Sequence, residues 1–239
     1  MNRIWTLTLF LTRDLFFSLA AIVPLAAALA FGLIAFEYGM DQPQFLTVAG
    51  VGIGIICLLT TLLLAGRANR ATTYLLIGRL RHRAELLIAI VISSLGVTAA
   101  LALLIAGANL LGGRLTVEFP SVLWAVPTWL ALWLTLSALA LILSALTSRD
   151  GSNMAGYLLV VGLLLANEQK AFLATRGLDW LARAATTVLW PLTALMSRAS
   201  AGIHDRSYVL ALVTTLTYAV LLFSLAAQLF LDKDLVWAE

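Results

Sequence analysis

The densest cluster of ionisable side chains in this 239-residue chain is Gly66 to Glu85, where Arg67, Arg70, Arg79, Arg81 and Arg83 face a single acid, Glu85. Taken as helical, Thr73, Leu76, Ile77, Leu80, Ala84 and Leu87 recur at three- and four-residue spacing and form one apolar stripe. Arg79 with Arg83, and Arg81 with Glu85, stack four residues apart on other faces. A helix of that kind lies along a membrane surface, with its stripe toward the lipid tails and its guanidinium groups among the headgroup phosphates. Its chemistry, taken alone, is that of a positive anchor.

The other reactive residue types are scattered. His82 and His204 lack a cysteine or paired carboxylate at ligand spacing, so neither reads as a metal ligand. Cys57 is the one cysteine and sits in an apolar run, which excludes a disulfide within the chain and reads as a small buried hydrophobe. The twelve acidic residues fall at the ends of apolar runs or between them, and this disfavours a proton- or sodium-coupled carrier. Gly-x-Ser-x-Gly, His-Glu-x-x-His and Asp-rich phosphotransfer patterns are absent. No catalytic, metal or cofactor residues are assigned.

What must position the arginine cluster is a set of membrane helices. The chain is 62% hydrophobic and 11% charged with a mean hydropathy of +1.00, against roughly 25% charged residues in soluble domains. The net charge of +3 would suggest nucleic acid in a soluble protein. Here the basic residues lie mostly between apolar runs and report topology instead, so no nucleic-acid partner is expected.

Five runs have spanning length: Leu15 to Phe36, Phe45 to Ala65, Leu86 to Leu111, Val122 to Thr147 and Tyr208 to Leu231. Pro24 and Pro127 are expected to kink the first and fourth of these. Met154 to Asn167 offers 14 residues, about 21 Å against a hydrocarbon layer of about 30 Å, and reads as a crossing of locally thinned membrane. Met1 to Thr12, with Trp5, Leu7, Leu9 and Phe10 around Arg3, suits an amphipathic elbow helix in the interface, assigned with its flank to residues 1–14. Gly50, Gly52 and Gly54, and the Ser93-Ser94-Leu95-Gly96 patch, permit close helix approach, within the chain or along a subunit or translocation seam. The fold expected is an all-α integral membrane protein of six spans in one domain.

With the N-terminus inside, nine basic residues fall on the inner side and six on the outer, five of those six in the 168–207 segment. Both termini are therefore expected in the cytoplasm. That outer segment carries an apolar surface from Leu178, Trp180, Leu181, Ala184 and Leu189, with Arg176, Asp179 and Arg183 on another face and a break at Trp190-Pro191. It reads as two short interfacial or re-entrant helices before the last span, serving either as an outer gate, with Trp180, Arg183, Trp190 and Pro191 as its residues, or as a passive anchor.

The Arg-rich turn after the second span, then Thr72-Thr73-Tyr74-Leu75-Leu76, then Arg79-Leu80-Arg81-His82-Arg83-Ala84-Glu85 entering the third, resembles the cytoplasmic coupling segment of type-2 ABC transporter permeases. Ala71, Leu80 and Asn69 stand where glycine, proline and an acid are usual in that family. The elbow helix, six spans and outer amphipathic segment extend the likeness over the whole chain, whose layout is similar to the haem-exporter membrane subunit of cytochrome c maturation. The resemblance implies that Arg70, Thr72, Thr73, Tyr74, Leu76, Arg79, Arg81, Arg83 and Glu85 receive a cytoplasmic ATPase. It implies a dimer of ATPase subunits carrying ATP and Mg, a second permease copy or paralogue, lipid contacts, and an amphipathic or lipid-like substrate exported across a bacterial cytoplasmic membrane. The chain has no phosphate-binding loop, since Lys170 and Lys233 are its lysines and neither follows the glycine pattern. A non-transporting scaffold or assembly factor, and a membrane-embedded lipid-modifying enzyme, are the competing classes.

Overall fold

The computed structural model describes residues 2–38, 42–69, 80, 82–113, 119–148, 153–168, 175–200, 202 and 205–232. Among them every regular element is helical. In chain order these are α1 (Asn2–Phe16), α2 (Ile22–Tyr38), α3 (Gln42–Ala68), α4 (Ala84–Leu111), α5 (Phe119–Ile142), α6 (Met154–Glu168), α7 (Asp179–Val188), α8 (Trp190–Ser200) and α9 (Arg206–Leu231), with a 3-10 turn at Leu19–Ala21. Among the described residues five segments are long and apolar enough to cross a membrane: Leu19–Glu37, Ala49–Ala68, Ala84–Leu111, Trp124–Ile142 and Arg206–Leu231. This is the architecture of a multi-pass, all-α membrane protein. At 15 residues, α6 is a shorter apolar helix.

The first expected span divides in two. Pro24 has no N–H, and its ring excludes an α-helical carbonyl four residues earlier. The helix therefore begins at Ile22, leaving Pro24 in the first turn, where its N–H would have no partner in any case. The chain turns through Phe17 and Ser18, and the Ser18 hydroxyl donates to the Leu15 carbonyl at 2.7 Å. Pro24 thus starts a helix and does not kink one, whereas Pro127 does lie inside α5. That helix stops at Ile142, short of the expected Thr147, because hydroxyls take its last carbonyls. Ser144 donates to Leu141 O at 2.7 Å, and Thr147 to Leu141 O and Ile142 O at 2.8 and 2.7 Å. Asn153 then opens α6: its side-chain oxygen accepts the Gly156 N–H at 2.8 Å.

The packing is centred on α3, which touches α2, α4, α5, α6 and α8. Its three alternate glycines explain how it reaches several neighbours. A Cβ on Gly50 would meet Met196 Cε of α8 at 2.5 Å, one on Gly54 would meet Leu136 Cδ1 of α5 at 2.8 Å, and one on Gly52 would overlap the Phe31 ring of α2. Two-residue steps turn about 200° around a helix, so Gly50 and Gly54 serve one side and Gly52 the other. In consequence 67% of the apolar window of α3 is buried, against 22% for α2 and for α9.

The contacts fix the sense of each helix. α3 and α5 run together, as Phe45 meets Trp129, Gly54 meets Leu136 and Cys57 meets Ser137. α4 runs opposite to them and alongside α2, placing Gly32 beside Ile105 and Gly112 beside Phe36. α9 packs chiefly on α5, from Tyr208 near Trp124 to the end at Leu231 near Arg83. The bundle therefore has an Arg67 end and an Asp205 end.

Candidate functional site

At the Arg67 end, Arg70, Thr72, Thr73, Tyr74, Leu76, Arg79 and Arg81 lie outside the described residues, whereas Arg83 and Glu85 are described. The two flanks of the segment are pinned to other helices. Arg67 Nε donates to Asp14 Oδ2 at 2.6 Å and so joins the end of α3 to α1. Arg83, at the start of α4, reaches the Leu231 carbonyl with Nη1 at 3.5 Å. A guanidinium there meets the negative end of the α9 dipole. Glu85 occupies the first turn of α4, where an acid suits the positive helix end. Its Oε2 is buried and has no hydrogen-bond partner among the described residues. Leu80 packs partly buried against the main core. The long helix α1 lies along α4, burying Leu7, Leu11 and Leu15, and its Thr8 carbonyl accepts the Ser93 hydroxyl at 3.1 Å.

Between the two ends lies a polar junction that sequence reasoning missed. Thr61 Oγ1 and Ser94 Oγ are 2.6 Å apart, Thr61 donates to Ser137 Oγ at 3.2 Å, and Cys57 Sγ lies 3.2 Å from Ser137 Oγ. Ser94 also donates to the Cys57 carbonyl at 3.1 Å, and Cys57 reaches the Trp133 carbonyl at 3.7 Å. One cluster thus joins α3, α4 and α5, all four side chains being fully buried. In lipid such groups must be satisfied within the protein, and satisfied they hold helices together. The signal in the sequence was the four-residue step from Cys57 to Thr61, which sets both on one face of a helix. Cys57 is accordingly a hydrogen-bonding residue as well as a small buried one.

At the Asp205 end, α7 and α8 form a hairpin broken where Pro191 cannot continue α7. α7 rests on α6, while α8 sits against α9, α3 and α5. Leu192, Leu195 and Met196 are buried in that seat, and Thr215 donates to the Pro191 carbonyl at 3.0 Å. Thr215 lies nine positions after Arg206, about 13 Å down α9 at 1.5 Å per residue. Ala199 clusters with Tyr208 at the helix start, so α8 runs antiparallel to α9 and begins beside Thr215, well along that helix. Trp180, Arg183 and Trp190 are exposed and Pro191 is half-buried. The four expected gate residues thus belong to one hairpin, with Trp190 and Pro191 at its tip and Trp180 and Arg183 along α7.

Asp205 closes this end. Its carboxylate accepts from Ser207 N at 3.0 Å and Tyr208 N at 3.1 Å and from the Ser207 hydroxyl, making it the N-cap of α9. The Ser207 hydroxyl, then the backbone bonds, hold its pKa below the usual carboxylate value. Tyr208 fastens the same turn to α5 through Trp124 O at 3.2 Å and the Thr128 hydroxyl at 2.9 Å.

Among the described residues no three His, Cys, Asp or Glu side chains are grouped to hold a metal ion. Compared with protein-family models, with curated proteins and with solved structures, the chain matches none.

Proposed function

We propose that the chain is the membrane-spanning subunit of an ATP-driven exporter of the ABC type, working with a second permease copy or paralogue and a cytoplasmic ATPase dimer that carries ATP and Mg. In this reading α6 is the fifth of six crossings, the Arg67 end and both termini face the cytoplasm, and the membrane is the bacterial cytoplasmic one. The substrate is amphipathic or lipid-like and leaves past the α7–α8 hairpin.

One observation carries the reading: the Arg-rich segment joins α3 to α4, the two helices that share the buried hydroxyl junction with α5. A push on the segment is delivered to the helices at the centre of the molecule, and through Asp14–Arg67 and Arg83–Leu231 to α1 and α9 as well. Energy enters from outside the chain, through the segment's arginines and the groove of an ATPase.

The test is charge reversal at Arg79→Glu with Arg81→Glu, which leaves the Arg83 and Arg67 contacts in place. The expected result is loss of ATPase co-purification and of stimulated ATP hydrolysis with membrane insertion unchanged. Capture and stimulation at the parent level overturn the coupling role and leave the scaffold reading.

A further inference from the structure

Each helix of the buried hydroxyl junction places a second polar residue one turn away. From Thr61 the step leads to Cys57 on α3, from Ser94 to Thr98 on α4, and from Ser137 to Trp133 on α5. Because α4 runs opposite to α3 and α5, all three steps lead toward the Asp205 end. The junction thus has two layers, about 5.4 Å apart along the helices. Thr61, Ser94 and Ser137 form the first, which is bonded within itself.

The second layer is not. The Cys57 thiol reaches back to Ser137 and Ser94 at 3.2 and 3.7 Å. Thr98 Oγ1 and Trp133 Nε1 are buried and have no hydrogen-bond partner among the described residues, on side chains that are 0% and 7% exposed. Thr98 comes close to the Cys57 thiol without hydrogen-bond geometry to it. It also departs from the other threonines buried in the spans: Thr60, Thr61, Thr128, Thr135 and Thr215 each donate to the carbonyl four residues earlier, at 2.7 to 2.9 Å. Thr98 makes no such bond, so its proton and lone pairs are kept for a group outside its own helix.

A buried donor and an unspent hydroxyl at one level of a membrane bundle require a guest, since lipid offers neither a partner. The Trp133 N–H can only donate, so the guest must accept there, which a cation does not do. Cys57, Thr98 and Trp133 include no basic side chain to hold an anion. Water accepts and donates at once, and is the usual bridge between buried polar groups that the protein leaves unmatched.

We propose that Thr98 Oγ1 and Trp133 Nε1 share one bound water molecule, seated in the Cys57–Thr98–Trp133 layer. The water accepts the Trp133 N–H and bonds to the Thr98 hydroxyl, tying α4 to α5 beside α3. The bonded hydroxyls lie one turn below it. Trp129, stacked on Trp133 with ring centroids 6.0 Å apart, lies one turn above. The site rests on these three helices alone and uses no part of the exporter reading.

The test is magnetic resonance on the full chain in lipid nanodiscs, with its seven tryptophans isotope-labelled at the indole nitrogen. Trp133→Phe identifies the Trp133 resonance by its loss. That resonance is expected to show a cross-peak with water protons in the parent and in Thr98→Ser, which keeps a hydroxyl, and to lose it in Thr98→Val. The remaining indole resonances report that each variant is folded. Absence of the water cross-peak from the parent would overturn the proposal, as would a cross-peak to the Thr98 side chain alone, which means a direct bond. A cross-peak of parent strength in Thr98→Val would overturn it as well, because the water would then not be shared.

Discussion

The α3–α4–α5 junction and the α7–α8 hairpin occupy the same bundle and are held by different forces. The junction is tied by Cys57, Thr61, Ser94 and Ser137, four buried polar side chains on three helices. The hairpin is seated by the shape of Leu192, Leu195 and Met196, with the Thr215 hydroxyl donating to Pro191 O at its inner edge. In a bilayer, apolar contact between helices gains no hydrophobic driving force, because lipid tails are equally apolar. Hydrogen bonds with few alternatives fix a geometry; packing alone permits sliding. The comparison teaches that directional bonds fix the junction while packing seats the hairpin, so the two are expected to respond differently to substitution.

The largest effect is expected where the junction is overfilled. Ser94→Leu removes the Thr61 and Cys57 carbonyl contacts and forces added bulk into a fully buried position, at about 3 kcal/mol. Denaturant titration in detergent should show the whole bundle destabilised; loss confined to the hairpin would break the distinction. Next comes Leu195→Ala, which empties a fully buried position in the hairpin seat and costs about 1–2 kcal/mol through lost packing. Proteolysis between Ser200 and Asp205 should accelerate while the global transition stays within about 0.5 kcal/mol, the signature of local opening. A global shift of the Ser94→Leu size would mean that hairpin and junction unfold as one.

The smallest effect concerns Asp205, whose folded pKa is lowered by the Ser207 hydroxyl and the N–H groups of Tyr208 and Ser207. A lowered carboxylate pKa contributes stability that is present above the unfolded value. That contribution is lost as pH falls through the lower folded value. Acid should therefore loosen the start of α9 and the hairpin end against it before it affects the junction. Asp205→Asn, which keeps an N-cap acceptor, should abolish that acid sensitivity as read by hydrogen exchange at Ser207 and Tyr208. An unchanged acid profile in the variant would remove Asp205 as its cause.

Much of this contrast was legible in the residues, and the part that was not has a physical cause. Apolar runs of spanning length located α3, α4 and α9, since satisfying every backbone group in lipid leaves a long apolar run little choice but a helix. The break at Trp190-Pro191 was readable because proline cannot donate. The start of α2 and the end of α5 were misplaced: hydropathy does not register that Pro24 belongs in a first turn, or that Ser144 and Thr147 hydroxyls compete with backbone N–H groups for carbonyls. The junction was hidden for a related reason. Cys57, Thr61, Ser94 and Ser137 each look like small fillers on their own helix, and their meaning arises only when three helices bring them within bonding distance. For the candidate site, the hairpin residues proved to share one element, while the coupling residues from Arg70 to Arg79, with Arg81, fall outside the described residues.

The contact between Arg83 and the Leu231 carbonyl joins groups 148 residues apart in the chain. At a synthesis rate of about 5–20 residues per second, the guanidinium waits on the order of 10 s for its acceptor to be made. Until then this contact cannot form, whereas both partners of the Asp14–Arg67 pair are already synthesised. The last turn of α9 thus clasps the middle of the polypeptide only after α1 to α8 have been made.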